Sequence, residues 1–201
     1  MTDAAAGFPP WFDSVARGNF EAILLPEFAD GRPLDLLQIG AFTGDATVWL
    51  AENLLTAPAR TLTDVDPWTV EENEAGLEDD WDWVDVERIY SDRVAALADP
   101  SRVRTYKGTS NDYFRELPAD TQFDFVYVDG DHHAPSTLED GLNAFRTTRP
   151  GGIIAFDDYL WNQEAPAHMR PQASIDALLT VFADRVEILH HFYQVWIRKC
   201  R

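Results

Sequence analysis

Short apolar runs alternate along the chain with stretches in which apolar residues return every three or four positions. The runs Leu34–Ile39, Phe123–Val128 and 153–156 are nearly continuous in apolar and β-branched residues, which predicts buried strands, and residues 60–65 and Val103–Lys107 read as further strands. Between them, helical spacing predicts helices over residues 45–55, 86–97, 111–117 and 135–146. Two more helices are expected: residues 19–28, with Phe20, Ile23, Leu24 and Phe28 on one face, and residues 173–182. Gly31-Arg32-Pro33, Asp99-Pro100 and Pro150-Gly151-Gly152 read as breaks and turns. The last two strands, 186–189 and 192–197, are joined by a tight connection at His190-His191. The order is strand–helix repeated, then a hairpin. It predicts a doubly wound α/β fold with a mostly parallel seven-stranded sheet and an antiparallel C-terminal hairpin.

This pattern makes residues 1–201 a single domain, with an N-terminal helical or lid segment over 1–33 and the core over 34–201. A length of 201 residues is enough for one substantial core. Residues 1–7 are small and polar and are expected to fray. Phe8-Pro9-Pro10-Trp11-Phe12 is apolar but cannot begin as a regular helix. It either folds over a site as a lid or packs on the core.

In an open parallel sheet, ligands bind outside the C-terminal ends of the strands. Five of those ends carry candidate chemistry. The first strand runs into Gly40-Ala41-Phe42-Thr43-Gly44 and then a helix, a cofactor-binding arrangement. The spacing is G-x-x-x-G rather than G-x-G-x-x-G, and Phe42 stands where a glycine would admit a pyrophosphate, so the turn suits a ligand without one at that spot. The second strand ends at Asp66-Pro67-Trp68. An acid there accepts hydrogen bonds from a ribose diol, and Asp64, on the same face, is the reserve. Alternatively, Asp66 only starts the Asp-Pro turn. Gly108-Thr109-Ser110 lies on the same edge and is placed to touch a base.

The last two ends lie in the stretch from Phe123 to Tyr159, FDFVYVDGDHHAPSTLEDGLNAFRTTRPGGIIAFDDY. It is a strand–helix–strand unit with Asp129 and Asp131 after one strand and Asp157 and Asp158 after the next. Each acid alone is an ordinary loop or capping residue. Together they repel unless something offsets their charge, and a divalent cation does so. Oxygen ligands with no nearby cysteine favour magnesium, calcium or manganese over zinc.

Composition narrows the partners. The net charge of −19 argues against nucleic acid and against an anionic membrane surface. Lys107 and Lys199 are the only lysines. The acid-rich surface suits a high-salt cytoplasm or reflects base composition of the genome. Seven Trp exclude a disordered chain. No apolar run is long enough to span a membrane and no secretory signal is visible, so a cytoplasmic location is expected. Cys200 is the sole cysteine, which leaves no intrachain disulfide. The acidic stretch 69–85, with Trp81 and Trp83, is either a solvated face or a pocket wall. Residues 161–172 follow Asp158 directly and are placed to form part of a substrate wall; His168 there reads as an exposed loop residue.

The segments LQIGAFTGDATVWL, RTLTDVDPW, FDFVYVDGDHH and PGGIIAFDDY, in this order, resemble the class I S-adenosylmethionine-dependent methyltransferases, which have a Rossmann-like fold. Within them the chain is most similar to the small metal-linked O-methyltransferases, the catechol and macrocin O-methyltransferase-like enzymes, through Asp-Gly-Asp-His, Pro-Gly-Gly and Asp-Asp-Tyr. The resemblance covers roughly Leu34 to Lys199. It implies methyl transfer from S-adenosylmethionine to a small-molecule hydroxyl, assisted by a divalent cation such as magnesium. Gly40, Ala41, Phe42 and Gly44 would lie against the methionine part of the cofactor, Asp66 against the ribose and Ser110 beside adenine. Asp129, also beside the cofactor, would hold the metal with Asp157 and Asp158. Asp131 matches the position of a general base. His132-His133-Ala134 departs from the sugar-directed members, which argues against a sugar acceptor and makes His132 a rival base. Three acids around one ion leave room for two substrate oxygens, as in a vicinal diol, catechol or hydroxy-carbonyl compound. The readings to be separated from this one are a metal-independent methyltransferase, a nicotinamide-dependent oxidoreductase on a similar sheet and a non-catalytic binding module.

Overall fold

The computed structural model describes residues 7–69 and 81–201. The expected fraying of residues 1–6 and most of the acidic stretch, residues 70–80, lie outside the described residues. Among the described residues seven strands form one sheet: β1 Leu34–Ile39, β2 Arg60–Asp66, β3 Val103–Lys107, β4 Phe123–Val128, β5 Thr148–Phe156, β6 Val186–His191 and β7 Val195–Lys199. Their order is β3-β2-β1-β4-β5-β7-β6. Pairs from β3 through β5 are parallel, while β7 is antiparallel to both β5 and β6. The chain order reverses between β1 and β4, and it is there that the glycine turn and the first acid cluster stand side by side.

Alternation along the strands splits the core into two layers. Leu36, Phe125, Tyr127, Ala155 and Trp196 face the N-terminal helical segment and the helix Asp45–Asn53. Leu37, Val126, Ile154, Phe156 and Ile197 face the helices Ala134–Thr147 and Gln172–Val181. Phe20 is the hub of the first layer, meeting Phe12, Trp49, Phe125, Tyr127 and Trp196 edge to face with ring centres 5.0–5.8 Å apart. Such pairs add to simple burial.

The helix expected over 86–97 runs Trp83–Ala95, and three boundaries differ further. The N-terminal helical segment begins at Phe12 rather than at residue 19, and alternates π-turns with α-turns. Its buried row is Phe12, Ala16, Phe20 and Leu24. A strict four-residue row drifts around a helix of 3.6 residues per turn, and wider i→i+5 turns hold it on one side. β5 begins at Thr148, so Pro150-Gly151-Gly152 lies inside a strand, with Gly151 at φ 86° and the register shifted between Phe123 and Phe125. Pro and Gly are tolerated there because the irregularity falls at the strand's start. The hairpin turns at residues 192–194 rather than at His190-His191. Among the described residues no helix is long and apolar enough to cross a membrane.

Candidate functional site

The glycine turn is dictated by the strand beside it. Gly40 has φ 83°, and a Cβ there would lie 1.8 Å from the carbonyl oxygen of Asp129. The end of β1 therefore touches the end of β4, and only a residue without a side chain permits it. Gly44, at φ 87°, precedes the helix Asp45–Asn53. A Cβ there would come 3.1 Å from the Tyr90 ring. Phe42 also has positive φ, 47°. Its ring packs against Phe8, Trp11, Trp81 and Trp83 at 5.4–6.0 Å. The N-terminal aromatic stretch thus divides: Phe8 and Trp11 cover the turn, and Phe12 enters the core.

Asp66 and Asp64, at the end of β2, are both buried. Asp66 Oδ2 accepts from Ala41 N (2.8 Å) and Phe42 N (2.9 Å), and Oδ1 from Trp68 N (2.7 Å). Trp68 Nε1 in turn donates to the Phe42 carbonyl at 2.9 Å. Burial raises the pKa of Asp66, opposed by the three backbone hydrogen bonds. Asp64 lies one layer deeper. Its Oδ2 accepts from Thr47 Oγ1 and Tyr90 OH, both at 2.8 Å. Its Oδ1 has no partner, and neither has Oε1 of Gln38, its register partner on β1. Burial pushes the Asp64 carboxyl up to about 7. Ser110 opens the short helix Ser110–Glu116, and burial likewise raises the pKa of Asp140 to about 7, opposed by the Ser110 hydroxyl.

At the ends of β4 and β5, one carboxylate oxygen each from Asp129 and Asp158 and one ring nitrogen of His132 lie within 4.8 Å of one another. His132 Nε2 is 3.4 Å from Asp158 Oδ2, and the His132 ring lies against Trp161, 5.1 Å centre to centre. Asp158 sits at φ 57°, an uncommon conformation that aspartate tolerates better than most residues. Its Oδ1 accepts from Tyr193 OH at 2.9 Å. Burial, then the charges of Asp157 and Asp158, drive Asp129 well above the usual carboxylate range.

Asp157 stands beside this group, and three donors reach its carboxylate. Its Oδ2 accepts from Tyr127 OH and from Gln194 Nε2 (2.9 Å), and its Oδ1 from Asp158 N (2.8 Å). Burial and Asp158 still raise it to about 6, against the Tyr127 and Gln194 hydrogen bonds. Asp131 is partnered locally through one oxygen. Its Oδ1 accepts from His133 N (2.9 Å) and meets His133 Nδ1 at 2.6 Å. Burial alone would raise Asp131, but hydrogen bonds from Ser136 and His133 outweigh it and hold the carboxyl below its ordinary value. Tyr127, Tyr193 and Gln194 had no local signal in the sequence. Strand alternation could have pointed to Tyr127 alone, as a hydroxyl on a buried strand.

A groove of about 700 Å³ opens at the other end of the sheet, lined by Asp35, Thr61, Thr63, Arg104, Tyr113 and Arg149 among others. It is remote from every strand-end acid, and part of its polar lining is mutually satisfied, with Thr61 bound to Asp35.

Residues 37–159 match a family described as a methyltransferase domain. No curated protein matches the chain. An O-methyltransferase from Bacillus cereus, in complex with S-adenosylhomocysteine, superposes with a TM-score of 0.68 at 19% identity, covering 98% of this chain and 87% of that one. The O-methyltransferase TomG from Streptomyces achromogenes, involved in tomaymycin synthesis and in complex with S-adenosylmethionine, also gives 0.68 at 19%, covering 99% and 87%. The N-methyltransferase NodS from Bradyrhizobium japonicum gives 0.59 at 14%, covering 99% and 95%. At such identities likeness speaks for fold, and both O- and N-directed enzymes share it. With more than half its length in the family match and the switch point of its sheet at a glycine turn, this chain belongs to the methyltransferase-domain family and is a class I S-adenosylmethionine-dependent methyltransferase.

Proposed function

We propose that the enzyme transfers the methyl group to a hydroxyl oxygen of a small molecule, assisted by a divalent cation at the β4–β5 edge. The observation that carries this reading is the contact of Gly40 with the Asp129 carbonyl. It makes the cofactor turn and the Asp129–His132–Asp158 group neighbours, so an acceptor held at one meets a methyl held at the other. The carboxylates Asp129 and Asp158 fit a cation, which, when bound, would acidify an acceptor hydroxyl and fix its position, with the His132 ring beside them. The cofactor brings its own electrophile.

The chain's residues bind, orient and deprotonate. Gly40, Ala41, Phe42 and Gly44 form the floor for the methionine part, and Ser110 borders the adenine. A carboxylate offers about four lone-pair sites. Three of those on Asp66 are taken by backbone N–H groups, which leaves it one ribose hydroxyl. His132 and Asp131 are the groups at hand for the acceptor's proton. A positioned base of this kind is worth roughly 10²–10⁴-fold in rate. Trp161, against His132, walls the acceptor side. The net charge of −19 disfavours a nucleic-acid acceptor.

The test is methyl transfer from labelled S-adenosylmethionine to a panel of catechols, vicinal diols and hydroxy-carbonyl compounds, with and without EDTA. Product that disappears with EDTA and returns with added cation is expected. Equal turnover in both would remove the cation from the mechanism, and amine products alone would remove the hydroxyl acceptor.

A further inference from the structure

We infer that Gln38 and Asp64 are positioning residues for the cofactor: a proton on Asp64 Oδ1, donated to Gln38 Oε1, holds the amide that clamps the Gly40–Ala41 peptide, and cofactor affinity follows that proton. The inference rests on the reading of the glycine turn as the cofactor floor and adds a control on that floor.

One peptide of the turn is held at both ends. The Gly40 carbonyl accepts from Gln38 Nε2 at 2.8 Å, and the Ala41 N–H donates to Asp66 Oδ2 at 2.8 Å. The first bond fixes the Gln38 amide. Turned over, the amide would set Oε1 against the Gly40 carbonyl oxygen, acceptor against acceptor. Gln38 Oε1 is therefore the atom left in need of a donor.

The residue beside it is Asp64. The two are register partners on neighbouring parallel strands. By alternation both side chains lie on the face of Leu36 and Leu62. Gln38 is 2% exposed and Asp64 0%. Asp64 Oδ2 already accepts from Thr47 Oγ1 and Tyr90 OH. Asp64 Oδ1 and Gln38 Oε1 have no hydrogen-bond partner among the described residues. Two buried acceptors on adjacent positions are costly unless a donor stands between them. A proton on Oδ1, taken from water, turns one of them into that donor.

The same carboxyl reaches the other end of the turn. Thr47 lies in the helix Asp45–Asn53, which the turn opens, and the Tyr90 ring backs Gly44. Asp64 thus joins Gly40, through Gln38, to Gly44, through Tyr90. The groups around it from β1 and that helix, Gln38 and Thr47, are neutral, and Thr105 of β3 meets the Tyr90 hydroxyl at 2.9 Å. The titratable neighbours are Tyr90 and Asp66. Burial and the Asp64 charge hold the Tyr90 phenol above its ordinary value, so it stays a donor. Burial, and to a smaller degree the Asp66 charge, raise Asp64 to about 7 against the Thr47 and Tyr90 hydrogen bonds. The bridge is therefore made and broken near neutrality.

The experiment uses the full chain and S-adenosylhomocysteine, whose uncharged sulfur keeps attraction between a sulfonium and Asp64 out of the result. Affinity is read by calorimetry at about pH 6 and about pH 8. A fall of about tenfold is expected, the limit for one proton lost one unit above its pKa. Asp64→Asn offers Gln38 a permanent donor and should remove most of that fall. Gln38→Met loses the clamp and should bind weakly at both pH values, with no fall between them. Carboxyl ¹³C NMR of the unliganded chain follows the proton itself. A resonance with its midpoint near neutrality is expected, absent from Asp64→Asn and moved to lower pH in Gln38→Met, so either variant assigns it if the other misfolds. A carboxyl already ionised at pH 6 would overturn the bridge. Affinity that ignores pH, or a fall that persists in Asp64→Asn and so belongs to Asp66 or the β4–β5 acids, would overturn its link to the cofactor while leaving the cofactor floor standing. No binding at either pH would overturn the floor and the inference together.

Discussion

Two strand ends of this enzyme carry acids, and they treat them in opposite ways. At β2 the charges of Asp64 and Asp66 meet donors: backbone amides from the glycine turn for Asp66, and Thr47 and Tyr90 hydroxyls for Asp64. At the β4–β5 edge stand Asp129, Asp157 and Asp158; three donors reach the Asp157 carboxylate, and one, the Tyr193 hydroxyl, reaches that of Asp158. The first arrangement braces a turn. The second leaves acceptor atoms pointed at a common space. The number of acids is not what separates a structural cluster from a cation site; the number of donors that reach them is.

The comparison can be broken most forcefully where the two ends touch. Gly40→Ala puts a methyl against the Asp129 carbonyl. Overpacking and the left-handed backbone together cost about 3 kcal/mol or more, a fall of roughly 10 °C in Tm. Cofactor affinity, read by calorimetry, should fall with it. Gly151→Ala is the control. Gly151 has a similar φ of 86° with nothing within 4 Å of the added atom, so only the backbone term, about 1 kcal/mol, remains. Equal losses at both positions would mean that contact between the two ends matters little.

Cation loading sharpens the difference next. An ion at about 100 times its Kd adds about 2.7 kcal/mol, a rise in Tm of roughly 5–10 °C for a chain of this size. The rise should vanish in Asp158→Ala and survive in Asp64→Asn. A rise that persists in Asp158→Ala places the ion elsewhere.

A smaller effect is expected at Asp64 itself. Its folded pKa, about 7, lies above the ordinary value of about 3.9. The folded state therefore holds a proton that the unfolded chain has lost. The associated stability is present in full below about pH 4 and is gone above about pH 7, declining by up to about 1.4 kcal/mol per pH unit between them. Asp64→Asn should flatten this part of the stability–pH curve measured by denaturant titration. An amide there can accept from Thr47 and Tyr90 and donate to Gln38 Oε1, which is otherwise without a partner. Asp64→Asn should be more stable than the parent above pH 7 by about 1 kcal/mol. A loss at pH 8 would show that the anion itself is needed beneath the turn.

The smallest expected effect concerns the cover over the β1 end. Trp11 is 47% exposed and touches Phe42 and Trp81. Trp11→Ala should cost about 1 kcal/mol in urea unfolding. Phe12→Ala, next to it in the core, should cost about 3–5 kcal/mol. Equal costs would erase the distinction between cover and core.

Much of the frame was legible. β1 and β4 have the bounds their apolar runs indicate, because a strand buried on both faces must be apolar throughout. The glycine turn and the acid pairs were visible as motifs. The N-terminal helix was misjudged at its start because its row Phe12, Ala16, Phe20, Leu24 has a period of four, which fits neither ordinary template. Pro150-Gly151-Gly152 reads as a turn because local propensity favours one there, whereas the segment lies in β5 as an irregularity between the pairs Phe123–Thr148 and Phe125–Ile153.

By itself, then, the sequence determined the α/β order, the two covered faces of the sheet and the edge on which Gly40, Asp66, Ser110, Asp129 and Asp158 meet, because burial patterns and turn residues act locally. Only the tertiary structure decided which acids are spent on bracing and which stay open. Asp157 is claimed by Tyr127 and by Gln194, 37 residues away in sequence, and Asp158 by Tyr193, 35 residues away. A hydrogen bond is a matter of where two groups come to lie, and no spacing along the chain encodes a donor brought in from another strand.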